Sequence, residues 1–189
     1  MLGERERLAI RRLWTRKLEQ DASRLPRSER HRNLEPASAE FLASLAYGLD
    51  AKELLEIGGS SGISTIALAA AARATAGKLI SIEIDPVRQA EAKETIHSLG
   101  LSGFVEFVAG DAADALPTLG GMSFVLIDCE KEDYIRFFDM LRLSPGSVVV
   151  ADNILSHDLS DYVAHVRSRA RVESVTLAIG KGLELTCTR

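Results

Sequence analysis

Between Glu53 and Asp152 short apolar runs alternate with segments of helical period, and no other feature restricts the fold as much. The runs are ELLEI (53–57), KLISIEI (78–84), VEFV (105–108), SFVLID (123–128) and SVVVAD (147–152). Between them the pattern predicts helices over Ser60–Ala74, Pro86–Leu99, about 112–116 ahead of Pro117, and Lys131–Leu141. Runs this short and apolar read as strands covered on both faces. Repeated strand–helix units build a mainly parallel sheet between two helical layers. A further helix is expected over Asp158–Arg169. VESVTLA and LELTCT then flank IGKG, whose glycines permit a tight turn, so the last strand is antiparallel. Ahead of the alternation lie a helix over 3–20, a polar linker (DASRLPRSERHRN, 21–33) and a helix over Pro36–Gly48. The expected organisation is an N-terminal helix and linker, 1–34, on a domain over 35–189, the whole forming one globular unit.

Composition narrows the class. The 189 residues carry a net charge of -4, which argues against general nucleic-acid affinity. Charge is uneven: residues 1–32 hold ten Lys/Arg against five Asp/Glu, a local +5, so the remainder carries -9. The basic segment reads either as a solvated amphipathic helix or as a surface for an acidic partner, an acidic substrate or a second subunit. No apolar run reaches the roughly 18 residues of a membrane span, and the start, MLGERERLAI, has no secretion-signal core. Cys129 and Cys187 make neither a disulfide framework nor a zinc spacing, so a cytoplasmic location is expected.

In a parallel sheet of this kind ligands bind beyond the carboxyl ends of the strands, so the polar residues there are the informative ones. LLEIGGSSGIST joins a strand to a helix through Gly58, Gly59 and Gly62, which let the backbone turn sharply beside a ligand. It is neither G-x-G-x-x-G nor a phosphate loop. Glu83, at the next strand end, can accept from two ribose hydroxyls, and Asp111, at the third, from an adenine amino group. Asp111 can equally cap the helix that follows. Glu56, just before the glycines, would repel phosphate and accept from an ammonium group. The ligand these residues suit is S-adenosylmethionine, a nucleoside without phosphates.

A second group sits at the ends of two strands expected to be neighbours: Asp128 with Lys131 behind it, and Asp152-Asn153. Two carboxylates and an amide oxygen form a hard ligand set suited to Mg²⁺ or another divalent cation, with positions left for adjacent substrate hydroxyls. Lys131, desolvated near a dication, would lose its proton more easily and serve as general base. Each residue also has an ordinary alternative: Asp128 as a helix cap, Asp152-Asn153 as a turn, Lys131 as a surface residue.

The sequence resembles the cation-dependent O-methyltransferases, the catechol and caffeoyl-CoA group, from about Arg32 to Leu185. RNLEPASAEFL is similar to the family segment in which Leu34 would lie against the methionine part of the cofactor. LEIGGSSGIS resembles the first cofactor motif and implies roles for Glu56, Gly58, Gly59 and Ser64. IEIDP implies Glu83 for the ribose, and AGDA implies Asp111 and Ala112 near the adenine. DCEKEDY fits the D-x-x-K-x-x-Y pattern, implying Asp128 as metal ligand and Lys131 as base; ADN implies Asp152 and Asn153 as the other ligands. The resemblance implies a Rossmann-like class I α/β fold with a seven-stranded, mostly parallel sheet. It also implies methyl transfer to a hydroxyl of a small aromatic acceptor, and a homodimer with the basic helix near its interface. Departures stand at Ser60 and Ile63, where relatives often carry larger or aromatic residues, and at Ala39, where glycine is common. Competing readings are a metal-independent methyltransferase, a non-catalytic cofactor-binding protein and a dinucleotide oxidoreductase.

Overall fold

A computed structural model of the chain describes residues 2–26 and 29–189. Its seven strands form one sheet in the order β3-β2-β1-β4-β5-β7-β6. They are β1 (Glu53–Ile57), β2 (Lys78–Glu83), β3 (Val105–Ala109), β4 (Met122–Ile127), β5 (Leu143–Ala151), β6 (Val172–Leu177) and β7 (Leu183–Thr188). The first five pair in parallel, and β7 runs antiparallel to both β5 and β6. The helices are α1 (Glu4–Ala22), α2 (Pro36–Gly48), α3 (Ile63–Thr75), α4 (Pro86–Ser98), α5 (Ala112–Ala115), α6 (Tyr134–Met140) and α7 (Ser160–Arg167). This is the expected architecture. Two positions of the expected linker, Arg27 and Ser28, lie outside the described residues.

The two-residue period of a strand divides the apolar residues between two cores. Leu54, Phe124, Leu126, Val148 and Val150 face a core shared with α1, α2 and α3. Leu55, Ile57, Val125, Ile127, Val149 and Ala151 face the other, shared with α5, α6 and α7. In α3 every residue from Ile63 to Ala72 is buried, and its alanines let the sheet and α2 approach closely. A larger side chain at such a position would overpack the core at a cost of about 1–3 kcal/mol. α1 joins this core through Ile10 and Leu13. Its Glu6 carboxylate accepts from the Gly3 N–H at 3.0 Å and pairs with Arg73 of α3 at 2.9 Å. The N-terminal segment thus shares its core with the 35–189 region.

Several boundaries differ from the sequence pattern for backbone reasons. The helix expected from Ser60 begins at Ile63, because Gly58, Ser60 and Gly62 all have positive φ and cannot be helical. Lys131–Asp133 forms a 3₁₀ turn, and regular helix starts only at Tyr134. β5 begins four residues earlier than expected, with a register shift opposite Met122 and Phe124. α7 is shorter at both ends than Asp158–Arg169. Among the described residues no helix is long and apolar enough to cross a membrane.

Candidate active site

The glycine turn after β1 is set by its neighbours. Gly58 has φ +94°, and a Cβ there would lie 2.1 Å from the Asp128 carbonyl oxygen. Only glycine lets the ends of β1 and β4 come so close. The Gly58 N–H donates to the Ile82 carbonyl at 2.9 Å, which ties the turn to β2 as well. Beyond these three strand ends opens a cleft of about 650 Å³, lined among others by Gly58, Ser60, Glu83, Asp111, Ala112 and Asp128. Glu83 accepts from the Ser60 N–H at 2.7 Å through one oxygen and from the Asp85 N–H at 2.9 Å through the other. The carboxylate is thereby held rigidly at the cleft wall, with lone pairs remaining on both oxygens. Asp111 caps α5, accepting from the Ala113 N–H at 2.8 Å, and still borders the cleft, so both readings of it hold geometrically.

Four expected cofactor residues, Leu34, Glu56, Gly59 and Ser64, do not border this cleft. The strand period turns Glu56 toward α3, where Thr65 and Ser81 donate to Oε2 at 2.7 and 2.6 Å. Its Oε1 is buried without a partner. Burial raises this carboxyl above the usual range, against the pull of the hydroxyls around it. In this arrangement Glu56 lies directly under the glycine turn, with Oε2 2.8 Å from where a Cβ on Gly59 would stand. Ser64 is buried in the first turn of α3, and Leu34 belongs to the core with α2 and α3. Their neighbours Ser60 and Arg32 stand on the cleft wall instead.

The second group converges. Ile127 pairs with Ala151, so Asp128 and Asp152 leave adjacent strands at the same level. The Asp152 N–H donates to the Ile127 carbonyl at 3.1 Å and the Asp128 N–H to the Ile57 carbonyl at 2.9 Å, fixing both tips. Asn153 turns back with φ +69°, a conformation asparagine tolerates better than most residues, and donates its amide to Asp128 Oδ1 at 2.7 Å. Lys131 Nζ lies 3.7 Å from Asp128 Oδ1 and 2.6 Å from the Tyr134 hydroxyl. That hydroxyl donates to the Asp152 carbonyl at 3.2 Å.

The electrostatics of this group favour a cation. Burial, and then the charge of Asp128, push the Asp152 carboxyl up to about 7. Burial also raises Asp128, although Lys131 pulls the other way. Asp152 Oδ1 is buried with no partner. Two buried carboxylates, one with an orphaned oxygen, beside an amide fit a hard divalent ion. Among the described residues no three His, Cys, Asp or Glu side chains gather where they could hold a metal ion, so such a site would have to draw on the Asn153 amide. Burial lowers the Lys131 ammonium below its ordinary value, the direction a general base requires, and Asp128 opposes the shift.

Comparison with known proteins decides the family. The sequence pattern described as O-methyltransferase matches residues 14–189. This chain belongs to that O-methyltransferase family. Among its relatives, a catechol O-methyltransferase of Niastella koreensis is 38% identical over 130 residues, covering 65% of this chain and 58% of the relative. A catechol O-methyltransferase of Mycobacterium tuberculosis is 36% identical over 139 residues, covering 71% and 61%. The chain thus spans about three fifths of these curated relatives. Among solved structures, cofactor-bound Rv0187 from MTB has a TM-score of 0.77 at 28% identity, covering 94% of this chain and 89% of that one. The O-methyltransferase TomG from Streptomyces achromogenes, in complex with SAM, has a TM-score of 0.81 at 24% identity, covering 100% and 91%. The latter likeness is one of fold alone.

Within the family frame, two site residues escaped the sequence reading. Arg32 borders both the cleft and the basin beyond it, its N–H donating to Ser60 Oγ at 3.2 Å and its guanidinium pairing with Glu130. Lys181, between the hairpin glycines, lines the basin. The only available signal was its place in IGKG, which a turn alone already explains.

Proposed function

We propose that this protein transfers a methyl group from S-adenosylmethionine to a hydroxyl of a small catechol-like aromatic, assisted by a divalent cation such as Mg²⁺. One observation carries the reading: Asp128 borders both the cleft beyond β1, β2 and β4 and the basin over the oxygen cluster. A donor in the first and an acceptor in the second would meet there. Glu83 would accept from the ribose hydroxyls, Asp111 and Ala112 would border the adenine, and the turn at Gly58 and Gly59 would let the donor lie close to the backbone. Glu56, with Ser64 near it, would hold that turn, and Leu34 would support the chain beside Arg32. Asp128, Asp152 and Asn153 would hold the cation, which when bound supplies charge that favours the deprotonated form of a nearby hydroxyl.

Lys131 would take that proton on Nζ. Its lowered affinity for a proton and its hydrogen bond to Tyr134 hold the amine where an acceptor hydroxyl on the cluster could reach it. The methyl transfer itself then needs mainly alignment of donor and acceptor across Asp128. Unpaired Cys129 and Cys187 support a cytoplasmic location. The exposed Leu8 and Leu18 on basic α1 support a homodimer that uses this helix.

The test is a methylation screen of catechols and hydroxycinnamates with Mg²⁺ and with EDTA. Turnover that needs the ion is expected. Undiminished turnover in EDTA would remove the cation from the mechanism, and cofactor binding without turnover of any acceptor would make this a binding protein.

A further inference from the structure

The basin over Asp128 and Asp152 is built unlike a pocket for a neutral aromatic. It is an open basin, and every residue lining it is polar or charged apart from Cys129. Among the described residues its only ring-bearing side chains are the imidazoles of His31 and His157. Most of its positive side chains are already engaged. Lys17 pairs with Asp21, Arg32 with Glu130, and Lys131 with Asp128 and Tyr134. Two are not neutralised. Among the described residues the Arg30 guanidinium meets only backbone carbonyls, those of Leu25 at 2.8 Å and Asp21 at 3.5 Å. Lys181 has no hydrogen bond or ion pair from its ammonium among the described residues, although its charge is felt at both Asp128 and Asp152.

Lys181 is also held in place. The Leu155 N–H donates to the Lys181 carbonyl at 2.9 Å and the Ile154 N–H to the Gly182 carbonyl at 3.0 Å. These bonds fasten the hairpin loop to the segment that follows Asn153. The spare positive charge therefore sits beside the oxygen cluster on a braced loop.

We propose that the acceptor carries an acidic group, a carboxylate in the first instance, which Lys181 and Arg30 bind while its hydroxyls sit at Asp128, Asp152 and Asn153. This rests on the methyl-transfer reading and narrows its substrate class. A charged group bound in such a basin needs opposite charge, and charge-assisted hydrogen bonds are the stronger kind.

The experiment pairs 3,4-dihydroxybenzoate with its neutral isostere 3,4-dihydroxybenzamide. kcat/KM is measured for each with Mg²⁺. Binding of each is measured separately by calorimetry, with S-adenosylhomocysteine and Mg²⁺ present and no methyl donor. The acid is expected to exceed the amide by tenfold or more in both measurements. That ratio should fall at least tenfold in Lys181→Gln and Arg30→Gln and return in Lys181→Arg. Acid and amide within twofold of each other in the wild type, or an unchanged ratio in both variants, would overturn the proposal. Preferential binding of the acid with no turnover of either compound would support the anion site and sink the methyl-transfer reading instead.

Discussion

Asn153 donates its side-chain amide to Asp128 Oδ1 at 2.7 Å across the tips of two paired strands, while Asp152 beside it keeps one carboxylate oxygen buried and unpartnered. Three oxygen-bearing side chains thus stand at neighbouring strand tips, and a divalent cation bound there would offset the cost of burying two carboxylates. Mg²⁺ should therefore raise the melting temperature of the wild-type protein. Binding at one hundred times Kd stabilises by about 2.7 kcal/mol. Asp152→Ala should lose this response and the ion-dependent turnover, yet bind S-adenosylhomocysteine with affinity within about threefold of wild type. Differential scanning fluorimetry and calorimetry check both halves, and wild-type turnover in this variant would refute the ligand role.

Lys131 is the amine nearest the cluster, and its proton affinity is lowered chiefly by burial. Lys131→Ala should reduce kcat by about 10²–10⁴-fold, the usual worth of a positioned general base. Cofactor affinity should change little. Lys131→Arg should not restore turnover, because a guanidinium keeps its proton. A rapid Arg variant would assign the position a purely electrostatic task.

Gly58 separates steric need from conformational preference. Gly58→Ala places a methyl 2.1 Å from the Asp128 carbonyl oxygen at φ +94°, so the β1 and β4 tips must part. Both S-adenosylhomocysteine binding and the Mg²⁺ response should be lost together. Gly146→Ala, at φ +84° with no atom within 4 Å of the new Cβ, is the control. It should cost only about 1 kcal/mol and leave both ligands binding.

Acid should loosen α1. Burial alone would raise the Glu6 carboxyl, but hydrogen bonds from its own and the Gly3 backbone N–H, and from Arg73, outweigh it and hold the group below its ordinary value. A carboxylate depressed in the folded state contributes stability above its unfolded pKa, about 4.3. That contribution disappears as pH falls through the lower folded value. Glu6→Gln should lower stability near pH 7 by about 1.5 kcal/mol, roughly 3–6 °C in melting temperature. The gap to wild type should close in acid. A gap independent of pH would assign the loss to packing.

How far the sequence was legible follows from what each signal encodes. The strands and their parallel order were readable because apolar runs and intervening helices are local, periodic patterns. Asp128 and Asp152 were readable as partners because both end such runs. The hydroxyl partners of Glu56 were not legible, because only the two-residue alternation of β1, followed one step further, turns it toward α3. Ser60 was assigned to a helix because its positive φ is imposed by the crowded strand ends and leaves no mark in the residue itself. Arg32 and Lys181 reach the basin only through tertiary contacts, from segments distant in the chain.

The place of β7 between β5 and β6 has a temporal consequence. A ribosome makes β6 before the strand that links it to the sheet, so β6 must wait, unpaired, for residues 183–188. The five parallel strands are all made before that moment. The loop bearing Lys181 lies between β6 and β7, so its bonds to Ile154 and Leu155 belong to the last part of the sheet to be made.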